Sequence, residues 1–98
     1  MHEFPFVWDE NKNALNVKKH GVSFIEAATI FDDGNAVIIN DEIHSAYEDR
    51  FIIIGMSIKT RVLFVCYCNV ENFDVIRIIS ARKANGRECE RYGRLIKQ

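Results

Sequence analysis

The chain has 98 residues, and among them are only one proline, five glycines and three cysteines. A membrane-spanning helix needs about 20 consecutive apolar residues, and no apolar run approaches that length. The N-terminal segment lacks the basic and apolar regions of a signal peptide. Three cysteines without a CxxC pair match neither a disulfide framework nor a common zinc site. These absences predict a cytoplasmic protein with reduced core thiols, no metal and no membrane attachment.

Several motifs of well-known enzyme sites are also missing. The sequence has no glycine-rich phosphate loop, no HExxH motif and no pair of carboxylates spaced for a metal. Neither a Cys-His-Asn nor a Ser-His-Asp arrangement can be argued from the spacing. We therefore expect no cofactor. Two of the histidines, His2 and His44, fall near the terminus or in a predicted loop, where we expect them to be solvated.

The residues that are present describe a folded domain with an uneven charge distribution. Hydrophobic residues make up 48% and charged residues 28% of the chain, which is typical of one globular domain over residues 1–98. Residues 1–49 hold three lysines against ten carboxylates, whereas residues 50–98 hold ten cations against four carboxylates. The basic half could serve a polyanionic or acidic partner, or the two halves could attract each other in the fold.

The local signals predict three helices and five strands. Asp9 is a suitable N-cap for the first helix, and Gly21 can end that helix in the left-handed region. Capping boxes start the second helix at Ser23, with Glu26 as its acidic member, and the C-terminal helix at Asn85. Strands are predicted at residues 4–8, 36–40, 50–57, 61–69 and 73–81, with a hairpin connection at 58–60 and a loop at 41–49.

Two of these strands, at residues 51–54 and 62–66, are apolar on both faces. Such strands are covered on both sides. The first two helices can cover one face, and the C-terminal helix or a partner protein must cover part of the other. The predicted order is β-α-α-β-β-β-β-α, which is an α+β fold with helices packed on a mainly antiparallel sheet.

Lys18, Lys19 and His20 crowd onto the last turn of the first predicted helix. Cations are common there because the helix macrodipole is negative at its C-terminus, so a structural explanation needs no function. The alternative is an anion-handling site built around Lys19 and His20. That alternative gains weight from the cations in the second half of the chain.

Four arginines fall within or next to predicted strands, and Arg77 is unusual because valine and isoleucine flank it on both sides. A charge in an apolar strand must be paired or must open onto a cleft. A salt bridge to a carboxylate such as Glu48 is one explanation. The other is that the guanidinium projects toward a phosphate, whose oxygens it can bind in a bidentate fork.

If the chain is an enzyme, metal-independent RNA cleavage fits these residues best. That reaction needs a base for the 2′-hydroxyl, an acid for the leaving oxygen and cations for the phosphorane. His20 could act as base or acid, because the ordinary pKa of histidine lies near neutrality. Tyr67 could stack a base or position a phosphate. The cations that could stabilise the transition state are Lys19, Arg61, Arg77 and Arg82.

Blocks of residues spread over nearly the whole chain point to one known family. They are Phe6-Val7-Trp8-Asp9, Lys19-His20-Gly21-Val22-Ser23-Phe24, Glu26-Ala27-Ala28, Phe31-Asp32-Asp33, Glu48-Asp49-Arg50-Phe51, Gly55-Met56-Ser57, Arg61, and Arg77-Ile78-Ile79-Ser80-Ala81-Arg82-Lys83-Ala84. In order and spacing these blocks resemble the BrnT family.

The resemblance implies a bacterial type II toxin with a RelE-like ribonuclease fold that cuts RNA and stops translation. It implies a BrnA-type antitoxin as partner, contact with operator DNA only through that antitoxin, and a toxin homodimer within a heterotetramer. The catalytic residues that it suggests are Lys19, His20, Arg61, Arg77 and Arg82. The RNA-binding residues that it suggests are Lys18, Arg50, Tyr67 and Lys83. Glu48 is a further functional position without an assigned role.

Two other functions stay open at this point. The chain could be a non-catalytic binding subunit, a corepressor that associates with a DNA-binding antitoxin. It could also be a degenerate toxin kept as a structural subunit, although the presence of every cationic position argues weakly against this.

Overall fold

The computed structural model describes residues 6–41, 49–70 and 74–96, the last three of these by their backbone. The predictions made for His2, His44 and Glu48 lie outside these residues. The predicted order of elements is confirmed. The elements are β1 (Phe6–Val7), α1 (Glu10–His20), α2 (Phe24–Thr29), a short 3₁₀ helix (Ile30–Asp32), β2 (Val37–Asn40), β3 (Arg50–Met56), β4 (Val62–Val70), β5 (Val75–Lys83) and α3 (Gly86–Ile96).

The five strands form one sheet in the order β1-β5-β4-β3-β2. All neighbours are antiparallel except the edge strand β1, which pairs in parallel with β5. The last strand was predicted to end at residue 81, but it continues to Lys83 because Leu63 of β4 stays in register with Lys83. Arg82 and Lys83 therefore belong to the strand and project to opposite faces of the sheet.

The predicted helix ends are confirmed by their hydrogen bonds. The Asp9 carboxylate accepts from the backbone N–H groups of Asn11 (2.8 Å) and Lys12 (3.3 Å) at the start of α1. Gly21 has φ of 70°, and its N–H donates to the Val17 carbonyl at 2.8 Å. Only glycine adopts this left-handed conformation without a steric cost, so the chain can leave α1 abruptly here.

The two predicted capping boxes differ. At α3 the box is reciprocal, because the Glu88 N–H donates to Asn85 Oδ1 (2.9 Å) and the Asn85 N–H donates to Glu88 Oε1 (2.8 Å). At α2 only half of the box forms: Ser23 Oγ accepts from the Glu26 N–H at 3.0 Å. The Glu26 carboxylate turns instead toward Arg61 at the start of β4.

The main core lies between the sheet and the helices α1 and α2. Its fully buried members include Phe24 and Ile30 from the helical layer and Leu63, Val65 and Ile78 from the sheet. In the described part of the chain no helix is long and apolar enough to cross a membrane.

The second face of the sheet is partly covered by α3, as the doubly apolar strands required. Tyr92 is 6% exposed, and its hydroxyl donates to Asp33 Oδ2 at 2.6 Å, which ties α3 to the chain before β2. A groove of about 710 Å³ separates the sheet from the first turns of α3. Of the three thiols, Cys66 and Cys68 are buried as predicted, whereas Cys89 is exposed.

Candidate functional site

The cations predicted at the end of α1 lie at a corner between two helices. Lys18 and Lys19 are exposed, whereas His20 is half-buried. α1 ends at His20 and α2 begins at Phe24, so the connection between them is short. The imidazole therefore occupies a defined position at the turn and is not carried on a long loop.

Two asparagines of α1 hold this corner against the rest of the protein. Asn16, which is 8% exposed, donates from Nδ2 to the Val22 carbonyl (2.9 Å) and to the Ala81 carbonyl (2.7 Å). Its Oδ1 accepts from the Ala81 N–H at 3.2 Å. Asn13 Oδ1 accepts from the Phe24 N–H at 2.8 Å. Neither role is predicted from the sequence, although asparagines inside a helix are a detectable signal because they are weak helix formers.

A buried ion pair fixes the corner from the other side. Glu26 is 2% exposed, and its carboxylate accepts from Arg61 Nε (2.9 Å), from Arg61 Nη2 and from the Ser57 hydroxyl (2.7 Å). The hydrogen bond from Arg61 holds the pKa of Glu26 below its ordinary value, although burial opposes this shift. The local sequence pattern predicts only a helix-cap role for Glu26.

The same guanidinium links the ion pair to the predicted site. Arg61 Nη2 donates to the Gly21 carbonyl at 3.1 Å, so Arg61 lies directly beside the residue that follows His20. Arg61 is thus held beside the end of α1 that carries His20. However, Glu26 neutralises much of the guanidinium charge. Arg61 therefore serves to hold the connection between α1 and α2 in place.

Lys83 lies at the same end of the sheet. α1 and β5 run in the same direction, since Lys12 lies near Ile79 and Asn16 bonds to Ala81. From Asn16 to His20 the helix advances about 6 Å, and from Ala81 to Lys83 the strand advances about the same distance. His20 therefore lies level with Lys83. Lys83 is exposed on the helix-covered face. We call Lys19, His20, Arg61 and Lys83 the helix-end cluster.

Arg77 and Arg50 lie elsewhere. Arg77 precedes Lys83 by six positions in β5, which at about 3.3 Å per residue is roughly 20 Å along the strand. Arg50 and Arg77 flank Cys68 on neighbouring strands, on the face opposite the main core. With Lys12 they line a cavity of about 240 Å³, and we call these three residues the pocket cluster. Both arginines have further interactions within the protein.

Arg82 belongs to neither cluster. Its guanidinium lies 4.0 Å from the centroid of the Phe64 ring, and it donates from Nη1 and Nη2 to the two carboxylate oxygens of Glu88, each at 2.8 Å. These hydrogen bonds raise the pKa of Arg82 and lower the pKa of Glu88, with burial opposing both shifts. Arg82 therefore connects β5 to the start of α3.

Tyr67, predicted to bind RNA, is a core residue. It is 5% exposed, and its ring packs edge-on against Phe31 (centroids 5.0 Å apart) and stacks on Phe51 (5.7 Å). Burial raises the pKa of its hydroxyl. A ring held in this way has no open face on which a base could stack, so the structure gives Tyr67 a packing role.

The predicted site residues are thus divided between two ends and two faces of the sheet, with one histidine among them. Over the described ranges, no group of three His, Cys, Asp or Glu side chains converges to hold a metal ion. The helix-end cluster offers a titratable group beside cations, and the pocket cluster offers cations around a cavity. Both arrangements suit an anionic ligand.

Residues 8–88 match the family described as "Ribonuclease toxin, BrnT, of type II toxin-antitoxin system". The chain belongs to the BrnT family. A toxin of a type II system has an antitoxin partner, so membership of the family gives this chain a protein partner. The helix-end cluster and the pocket cluster both lie within the matched residues.

The fold of this BrnT-family chain is similar to a solved structure. The crystal structure of the Brucella abortus ribonuclease toxin BrnT at 1.1 Å resolution superposes with a TM-score of 0.64 and 23% sequence identity, covering 84% of this chain and 97% of the Brucella chain. At this identity the similarity supports the fold. No curated protein matches the chain.

Proposed function

We propose that this chain is the toxin of a type II toxin-antitoxin pair and that it inhibits translation by cutting RNA without a metal. The observation that carries the proposal is the match to the BrnT family over residues 8–88. The surface cations of both clusters support an RNA substrate, because phosphate contacts supply most of the affinity of proteins for nucleic acids.

In the proposed reaction the helix-end cluster cuts the RNA backbone. A base takes the proton of the 2′-hydroxyl, the 2′-oxygen attacks phosphorus, and an acid protonates the departing 5′-oxygen, which leaves a 2′,3′-cyclic phosphate. His20 is the group that we assign to proton transfer. The exposed ammonium groups of Lys19 and Lys83 stabilise negative charge on the phosphorane. Arg61 holds the connection between α1 and α2 in place through its bonds to Glu26 and Gly21.

The remaining cations contact the substrate or the scaffold in this proposal. Arg50 and Arg77 bind the RNA backbone away from the cut, and Lys18 extends the basic surface next to Lys19. Arg82 holds α3 against the sheet through Glu88. We assign the partner to the BrnA type, with a toxin homodimer in a heterotetramer that contacts operator DNA through the antitoxin.

The test is cleavage of naked RNA by purified protein in the presence of a chelator. We expect cleavage by the wild type, a loss of about 100-fold or more in kcat for His20→Ala, and a smaller loss for Lys19→Ala. Arg77→Ala should chiefly raise KM. Arg87→Ala, which removes an exposed cation from α3, is the matched control and should cleave normally.

A non-catalytic binding subunit is the second candidate. It is favoured by the two ion pairs, because Glu26 and Glu88 neutralise two of the four lysines and arginines predicted to be catalytic. Intact RNA both in naked form and on translating ribosomes, together with tight antitoxin binding, would establish this function and refute cleavage. Cleavage that persists at the wild-type rate in His20→Ala would instead remove the helix-end cluster from the mechanism.

A further inference from the structure

The strand β2 lies at one edge of the sheet, and its outer side is open. It pairs with β3 alone, and over the described residues no strand lies beyond it. Natural proteins protect exposed edges with charged residues, prolines or bulges, because an open edge can pair with another chain. The four residues of β2, Val37–Asn40, include no charge and no proline, and their register with β3 has no bulge. Apart from its short length, this edge lacks the usual protection.

The hydrogen bonds to β3 show which backbone groups of β2 point outward. The Asp41 N–H donates to the Arg50 carbonyl at 2.9 Å, so these two residues form a hydrogen-bonded pair. Bonded and non-bonded pairs alternate along antiparallel strands, so the next bonded position in β2 is Ile39. The N–H and C=O groups of Ile38 and Asn40 therefore point away from β3, where another strand can bond them.

The side chains of β2 are apolar on both faces of the sheet. Ile38 pairs with Ile53 on the face of the main core, but it lies at the margin of that core and is 57% exposed. Val37 and Ile39 are half-buried on the opposite face, where Ile39 lines the groove beside α3. A strand added to this edge would therefore cover apolar surface on both faces.

We propose that β2 pairs with β2 of a second copy of this chain. The two strands run antiparallel about a two-fold axis, so that two five-stranded sheets become one continuous sheet. Ile38 lies opposite Ile38 of the second copy at the axis. The pairing assigns a surface to the toxin homodimer, and to that extent the inference rests on the proposed function.

This register brings apolar residues together on both faces. Residues directly opposite each other in an antiparallel pair lie on the same face. The two copies of Ile38 therefore meet on the face of the main core, and Val37 meets Ile39 of the second copy on the other face. The two copies of Ile38 also exchange two backbone hydrogen bonds. A register with Ile39 opposite its own counterpart would instead place Ile38 against Asn40.

The charge distribution also favours an identical partner. A two-fold interface brings a surface against its own copy, so a charge at the axis would meet an equal charge. Residues 34–40 are uncharged. The flanking Asp41 lies opposite Asn35 of the second copy in this register, which separates the two copies of Asp41 by roughly 20 Å along the strands. No like charges therefore oppose the pairing.

The first measurement is the monomer–dimer equilibrium of the purified chain, followed by analytical ultracentrifugation over a range of concentrations. Paired strands of four residues bury less than the roughly 1,200 Å² of a standard interface, so we expect a dissociation constant in the micromolar range. Ile38→Lys brings two ammonium groups together at the axis and should weaken the dimer about tenfold or more. Ile58→Lys, the same change at a 78% exposed isoleucine between β3 and β4, should leave the equilibrium unchanged.

The second measurement tests the register by disulfide formation in a Cys89→Ser background, which removes the exposed thiol. Protein with Val37→Cys is mixed with protein with Ile39→Cys and mildly oxidised. In the proposed register these positions form a non-hydrogen-bonded pair with Cα atoms about 4.5 Å apart, which is within the range of a disulfide. We expect the mixture to form covalent dimers several times faster than either protein alone. This measurement stands even if Ile38→Lys does not fold.

The inference is overturned if the wild type stays monomeric at its highest soluble concentration, if Ile58→Lys weakens the dimer as much as Ile38→Lys, or if the mixture cross-links no faster than its components. A monomeric chain whose antitoxin binding is weakened by Ile38→Lys would assign the edge to the antitoxin instead. A homodimer that Ile38→Lys leaves intact would preserve the proposed function and refute the inference. A β2-paired dimer that leaves RNA uncut would preserve the inference alone.

Discussion

Replacing Arg61 with alanine should destabilise the whole protein, because the variant leaves the Glu26 carboxylate buried without its cation. The Glu26 side chain is 1% exposed, and the Arg61 side chain is 27% exposed. Removing one partner of a buried ion pair costs about 3–5 kcal/mol, and because water reaches part of the guanidinium we expect about 3 kcal/mol, the lower end of that range.

Thermal unfolding followed by circular dichroism at pH 7 gives the measurement. In a domain of this size each kcal/mol lowers Tm by about 4–8 °C, so Arg61→Ala should melt at least roughly 12 °C below the wild type. Adding Glu26→Gln to Arg61→Ala removes the unpaired charge and should recover a large part of the loss. Arg87→Ala should stay within about 0.5 kcal/mol of the wild type.

The pH dependence supplies an independent check. The pKa of Glu26 is lower in the folded protein than its ordinary value of 4.5. A carboxyl group with a lowered pKa stabilises the fold above its unfolded pKa, and this contribution is lost as the pH falls through the folded pKa. The difference in Tm between wild type and Arg61→Ala should therefore narrow below pH 4.5. A variant that melts within 3 °C of wild type at pH 7 would refute the reasoning.

Two further predictions concern buried polar groups. Burial, assisted by the hydrogen bond to Asp33, raises the pKa of Tyr92 from 10.0 to about 12. Wild-type protein should therefore lose stability between pH 10 and 12 while Tyr92→Phe changes less, as followed by urea unfolding at pH 8 and 11; equal losses would contradict this. Asn16→Ala removes the three bonds to Val22 and Ala81 and should cost about 2 kcal/mol in the same assay. A cost below 0.5 kcal/mol would show that the corner is held by other contacts.

Features that depend on neighbouring residues were predictable from the sequence. The N-cap at Asp9, the left-handed Gly21 and the capping box of Asn85 and Glu88 all appear as predicted. Each of these features involves residues only a few positions apart. The residues that cap the free backbone groups at the helix ends can therefore be identified from the sequence itself. The order of helices and strands follows from such signals and from apolar periodicity.

The candidate site was predicted less well, because its residues meet through the sheet. Glu26 was assigned to a cap, but its carboxylate pairs with Arg61, 35 positions later in the chain. Tyr67 was assigned to RNA, but it faces the core, since its position in β4 places it between Phe31 and Phe51. The sequence around Arg77 shows a charged residue within an apolar strand, but it does not indicate which other cations line the same cavity.

The amino-acid sequence by itself determined the helices, the strands and, through the family motifs, the kind of protein this is. Only the tertiary structure decided that the predicted cations are divided between a cluster with His20 and a cluster with Arg77, while Arg82 pairs with Glu88 outside both. The physical reason is the geometry of the sheet, in which alternate residues face opposite sides and six residues span about 20 Å. Residues close in sequence, such as Arg82 and Lys83, are thereby separated, whereas Lys12, Arg50 and Arg77 are brought to one cavity.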